Sequence, residues 1–146
     1  MKLYIRAMSE YDSEVRRQLV NNSKPLYKHL IKIALYPTSE YVTAWTKEIY
    51  AFINDVDKLK RTKKFPTADF IFKALSTHLD VLDVYTRQIK SDLSEISDQE
   101  VFRSGEDITD ICTNYAKWLA SELSTQGGVT FNEVKTWIDS NILQSK

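Results

Sequence analysis

Apolar residues recur every three or four positions through most of this chain. Tyr41, Trp45, Ile49, Phe52, Val56 and Leu59 follow one another at steps of four, four, three, four and three. On a helix of 3.6 residues per turn that spacing draws one stripe, and Thr38 or Ser39 is placed to cap it. Beyond the corner Lys63-Lys64-Phe65-Pro66, Thr67 can cap a second long helix with Ile71, Leu75, Leu79, Leu82, Ile89, Leu93 and Ile96 on its inner face. The connection between the two is short, so they are expected to form an antiparallel central hairpin.

Weaker patterns flank this pair. Ser9 can start a helix through Val15, Leu19 and Val20 to about Asn22, where Asn21-Asn22-Ser23 reads as a break. Ser23 then caps a further helix with Pro25 in its first turn and Leu26, Leu30, Ile33 and Ala34 on one face, ended by Pro37. Downstream, Ser97–Gly105 is polar and predicts a loop with a short turn of helix. A helix follows from about Glu106 to Thr125 through Ile108, Ile111, Cys112, Tyr115, Leu119 and Leu123, with Gly127 as its left-handed stop. Thr130 and Glu133 have capping-box spacing, Val129 can staple onto Val134, and Ile138 and Ile142 continue that face. Lys2–Met8 alternates, which predicts a short strand or an extended arm.

No glycine occurs between Met1 and Ser104, and Pro25, Pro37 and Pro66 are the prolines of that span. Tight β-turns need both residue types, so their scarcity points to helices with short connections. The expectation is an all-α, single-domain bundle of about five to six helices over residues 1–146. A hydrophobic fraction of 42% with 27% charged residues puts the chain among globular rather than disordered sequences. No apolar run reaches the roughly 20 residues that span a bilayer, and no basic segment leads into an apolar stretch with a small-residue cleavage site. A cytoplasmic protein without membrane contact is expected.

Net charge is zero, but residues 1–66 carry 13 Lys and Arg against 7 Asp and Glu, whereas residues 67–146 carry 7 against 13. Halves of opposite sign either neutralise each other inside one bundle or form two poles. Lys58, Lys60, Arg61, Lys63 and Lys64 are the densest cationic cluster, a candidate contact for nucleic acid or an acidic partner. Arg16, Arg17, Lys24, Lys28 and Lys32 can extend it, and Phe65 could stack on a base. Cations near a helix C-terminus also complement its dipole, which is the simpler account of the same residues.

Candidate chemistry is sparse. His29 and His78 lack an i+4 partner that would aim two imidazoles at one metal, and the glycines of phosphate-binding and nucleophile-elbow motifs are missing. Cys112 is the single cysteine, so neither an intramolecular disulfide nor a cysteine-built zinc site exists, and its apolar neighbours predict a buried thiol. Glu122, Ser124, Gln126, Gly127, Val129 and Glu133 resemble an EF-hand calcium loop in spacing, yet they depart from it at the first, third and fifth ligand positions. No catalytic, cofactor or metal residues are assigned.

Trp118 and Trp137 sit one residue off their helical repeats, at the edge of the expected core. Aromatics in that position are typical anchors of protein interfaces. The leading expectation is therefore a non-catalytic bundle that binds a protein partner or pairs with itself as a homodimer. The alternative is a nucleic-acid accessory protein using Lys58–Lys64. The opening Met-Lys-Leu-Tyr-Ile-Arg-Ala, Met1–Ala7, resembles the start of small uncharacterised proteins encoded by phages and integrative elements of Gram-positive bacteria. That resemblance implies a role in mobile-element biology and assigns no residue a function.

Overall fold

The computed structural model describes residues 10–58, 67–125 and 128–143. Six α-helices occur there: α1 (Glu10–Leu35), α2 (Val42–Asp57), α3 (Ala68–Leu75), α4 (Leu82–Asp92), α5 (Gly105–Leu123) and α6 (Phe131–Ile138). Tighter 3₁₀ segments, Ser76–Val81 and Ser94–Gln99, follow α3 and α4, and a π-type turn, Asp139–Leu143, extends α6. No strand occurs among the described residues. The alternating segment Lys2–Met8 lies outside them.

The expected break at Asn21-Asn22-Ser23 is absent, because α1 runs through it and through Pro25 as one helix. Ser23 is fully buried and is not a cap; its hydroxyl donates to the Val20 carbonyl at 2.9 Å, while Asn22 Nδ2 donates to the Gln18 carbonyl at 3.0 Å. These side chains bond carbonyls in the turn that precedes the proline. A mid-helix proline costs about 3 kcal/mol. Leu26, Leu30, Ile31, Ile33 and Leu35 are all buried, and at about 1.5–3 kcal/mol each their burial outweighs it.

Continuity makes α1 the central helix. It packs against α2, α3, α4 and α5, and apolar side chains on several of its faces are buried as a result. The antiparallel hairpin is thus formed by α1 and α2, not by α2 and the segment after residue 67. Lys32 lies over Trp45, His29 bonds Glu48, and Leu19 shares an apolar cleft with Val56, so the two helices run in opposite directions. Trp45, Ile49 and Val56 of the predicted stripe are buried, joined by Ile53; Phe52 is half-buried and Tyr41 is 49% exposed ahead of the helix. α2 also packs on α6, where the Tyr50 and Phe131 rings meet edge to face at 6.0 Å.

The long helix expected from Thr67 to Ile96 divides in two. Thr67 does cap it, accepting from the Phe70 N–H at 3.1 Å. At Ser76–Val81 the winding tightens. Ser76, Thr77, Asp80 and Val81 are weaker helix formers than the leucines around them. Ser76 Oγ donates to the Phe72 carbonyl at 2.6 Å, and the buried Tyr27 hydroxyl donates to the Leu75 carbonyl at 2.6 Å, at the junction itself. Leu82 and Ile89 reach the core, and Leu79, Leu93 and Ile96 are half-buried.

Glu100–Ser104 then crosses the end of α1 without helical structure. The Val101 N–H donates to the Leu35 carbonyl at 2.8 Å, and the Arg103 guanidinium bonds the carbonyls of Ala34 at 3.1 Å and Ile142 at 3.3 Å. Arg103 therefore ties two helical C-termini together, where carbonyls lack intrahelical donors. Ser104 and Asp107 form a capping box that starts α5.

Candidate interface at the Trp118–Trp137 pair

Two capped helices bring these tryptophans together. α5 begins at the Ser104 box and buries Ile108, Cys112, Tyr115, Leu119 and Leu123. α6 begins at the predicted box, in which the Glu133 N–H donates to Thr130 Oγ1 at 3.2 Å and the Thr130 N–H to Glu133 Oε1 at 2.9 Å. Val129, Val134 and Ile138 are buried. The positive-φ residue of the connection is Gly128, at +79°; Gly127, the expected left-handed stop, lies outside the described residues.

Large rings fill the space between α5 and α6. Tyr115, which is fully buried, contacts Trp137 edge to face with centroids 4.7 Å apart and Trp118 at 5.4 Å; the two indoles are 6.2 Å apart. Such offset aromatic contacts add about 0.5–1.5 kcal/mol each beyond their buried area. The Tyr115 hydroxyl is buried without a hydrogen-bond partner among the described residues, and burial pushes its ionisation well above the usual tyrosine range. Both indoles are half-buried and face an open groove of about 390 Å³. Asn132, Thr136, Ser140 and Asn141 give that groove a polar rim, and Glu133 is held by its cap. The groove thus has an aromatic floor and a hydrogen-bonding rim.

The remaining candidates are dispersed. Lys58 is the exposed C-cap of α2, whereas Lys60, Arg61, Lys63, Lys64 and Phe65 lie outside the described residues. His29 spans α1 and α2, with Nδ1 2.7 Å from the Pro25 carbonyl oxygen and Nε2 bonded to Glu48. His78 Nδ1 is 3.0 Å from the Tyr85 hydroxyl. No group of three metal-ligating side chains occurs among the described residues. In the calcium-like segment, Glu133 serves the cap of α6 and Ser124 Oγ donates to the Ser121 carbonyl at 2.8 Å; Gln126 and Gly127 are outside the described residues. Cys112 is fully buried, and burial raises its thiol far above the usual cysteine value.

Tyr115 follows the core repeat of α5 in the sequence, and its contact with both indoles needs the approach of α6. Phe102 is a position that the sequence does not single out. It is 86% exposed on the segment pinned by Val101 and Arg103, and no periodicity marks it. No family model, curated protein or solved structure matches this chain.

Proposed function

We propose that this protein is a non-catalytic interaction bundle that engages a protein partner, or a second copy of itself, through the Trp118–Trp137 groove. The observation that carries the reading is the indole pair, half exposed, backed by buried Tyr115 and rimmed by Asn132, Thr136, Ser140 and Asn141, with the Glu133 carboxylate engaged in its cap. Interface energy concentrates in such anchored aromatics, while polar rims exclude water and set register. The resemblance of Met1–Ala7 supports a setting in phage or integrative-element biology, and a cytoplasmic location belongs to the same proposal. No described helix is long and apolar enough to cross a membrane.

The test compares the wild-type chain with the Trp118→Ala/Trp137→Ala variant. Sedimentation across a concentration series reads self-association, and a photo-crosslinking amino acid at Thr136 reads heterologous contact in extracts of the source cell. Loss of an anchor costs about 2 kcal/mol or more, equivalent to at least a roughly 30-fold drop in affinity. A strictly monomeric wild type that yields no adduct at Thr136 would refute the proposal.

A further inference from the structure

We infer that the outer face of α1 is a track for a nucleic-acid backbone, separate from the Trp118–Trp137 groove. Three observations meet there. First, Ser13, Arg16, Arg17, Val20 and Asn21 line an open cleft of about 390 Å³. Its hydroxyl, guanidinium and amide groups all offer hydrogen-bond donors, and no carboxylate is among the lining residues. Second, Lys24 and Lys28 continue the same face one and two turns further on, both with their ammonium groups over the ring of Tyr85, at 5.7 and 5.6 Å. Third, Arg16, Lys24 and Lys28 make no ion pair with a carboxylate among the described residues. By contrast, Lys73, Arg87, Lys90 and Lys135 pair with Asp69, Asp83, Glu100 and Asp139.

Geometry favours a linear polyanion. From Ser13 to Lys28 a helix rises about 22 Å, and the cations on one face, Arg16 and Arg17, then Lys24, then Lys28, are separated by about two turns and one turn. Guanidinium and hydroxyl donors suit phosphate oxygens, which fix position along a backbone without reading its sequence. A lipid surface is less suited, since half-buried Val20 is the one apolar side chain in the cleft and offers little to insert. Among the described residues, the carboxylates nearby are few. Glu14 bonds Arg17 at 2.6 Å on the same helix, Glu48 is bonded to His29, and Asp80 lies close enough to Tyr85 to disfavour its ionisation. Glu14 thus competes with phosphate for Arg17. The charge division of the sequence acquires a location in this way: the bare cations lie along one exposed face of the central helix.

Fluorescence anisotropy with the full chain and labelled 20-nucleotide single-stranded and duplex DNA probes tests the inference. Four cations engaged by phosphates give a log–log salt slope of about −2.8 for single strands and about −3.6 for duplex. Affinity should then fall roughly 50-fold or 150-fold, respectively, between 50 and 200 mM salt. Arg16→Gln/Arg17→Gln/Lys24→Gln/Lys28→Gln should abolish binding with the helical circular dichroism unchanged. Removing the four paired cations by Lys73→Gln/Arg87→Gln/Lys90→Gln/Lys135→Gln makes the same change in net charge and should leave the affinity within about twofold. Glu14→Gln should tighten it. No binding at 20 mM salt, equal losses in the two quadruple variants, or equal affinity for polyglutamate, which would assign the face to an acidic protein, would each overturn the inference.

Discussion

Gly128→Ala probes the joint that sets α6 against α5. Gly128 adopts φ +79°, a conformation that costs an L-residue about 1–2 kcal/mol. A Cβ built there would also lie 2.8 Å from Asp57 Oδ2 and 3.7 Å from its Cγ. Because the nearest atom is the end of a carboxylate, the clash is relieved by shifting Asp57 at a cost on the order of 1 kcal/mol. Alanine restricts the unfolded chain and returns about 0.4–1 kcal/mol. The net expectation is a loss of about 1–2.5 kcal/mol, or roughly 3–8 °C in Tm for a domain of this size. Urea unfolding followed by tryptophan fluorescence measures it, and a double-mutant cycle with Asp57→Ala separates the parts. In the Asp57→Ala background the steric share should vanish, leaving the backbone penalty. A Gly128→Ala protein as stable as wild type would refute the conformational argument, and identical costs in the two backgrounds would refute the steric one.

Tyr27→Phe removes the donor to the Leu75 carbonyl and should destabilise the fold by about 1–3 kcal/mol, because a buried acceptor loses its partner; chemical denaturation reads this, and an unchanged midpoint would show that the bond contributes nothing. Burial raises the phenol pKa of both Tyr27 and Tyr115 in the folded state, so the unfolded chain loses these protons first. Stability contributed by keeping them neutral is complete below about pH 10 and declines as pH rises above it, with a shallower decline in Tyr27→Phe. Cys112 should resist a thiol reagent at pH 8 in the native protein and react on addition of urea; rapid native labelling would contradict its burial.

Helical class, the two core stripes and the capping signals at Thr67 and Thr130 were legible because each depends on neighbours within one or two turns. The Ser104–Asp107 box falls at the end of a polar stretch that reads as a loop, which placed the helix start at Glu106 instead. Trp118 and Trp137 were legible as edge positions, yet their meeting over Tyr115 was not, since it depends on how α6 approaches α5. The broken helix at Ser76–Val81 was also illegible: apolar spacing continues across it, and its distinguishing contact comes from Tyr27, 48 residues away.

By itself, the sequence determined that the chain forms amphipathic helices, because periodicity and the absence of turn residues act locally. Tertiary structure decided which helix lies at the centre. Pro25 and Asn21-Asn22-Ser23 carry a local preference for a break worth a few kcal/mol, and burial of Leu26 to Leu35 against four other helices overrides it. That contest is settled by the summed contacts of distant segments. The same packing leaves one face of α1 lined with cations in water and sets two indoles at the rim of a groove.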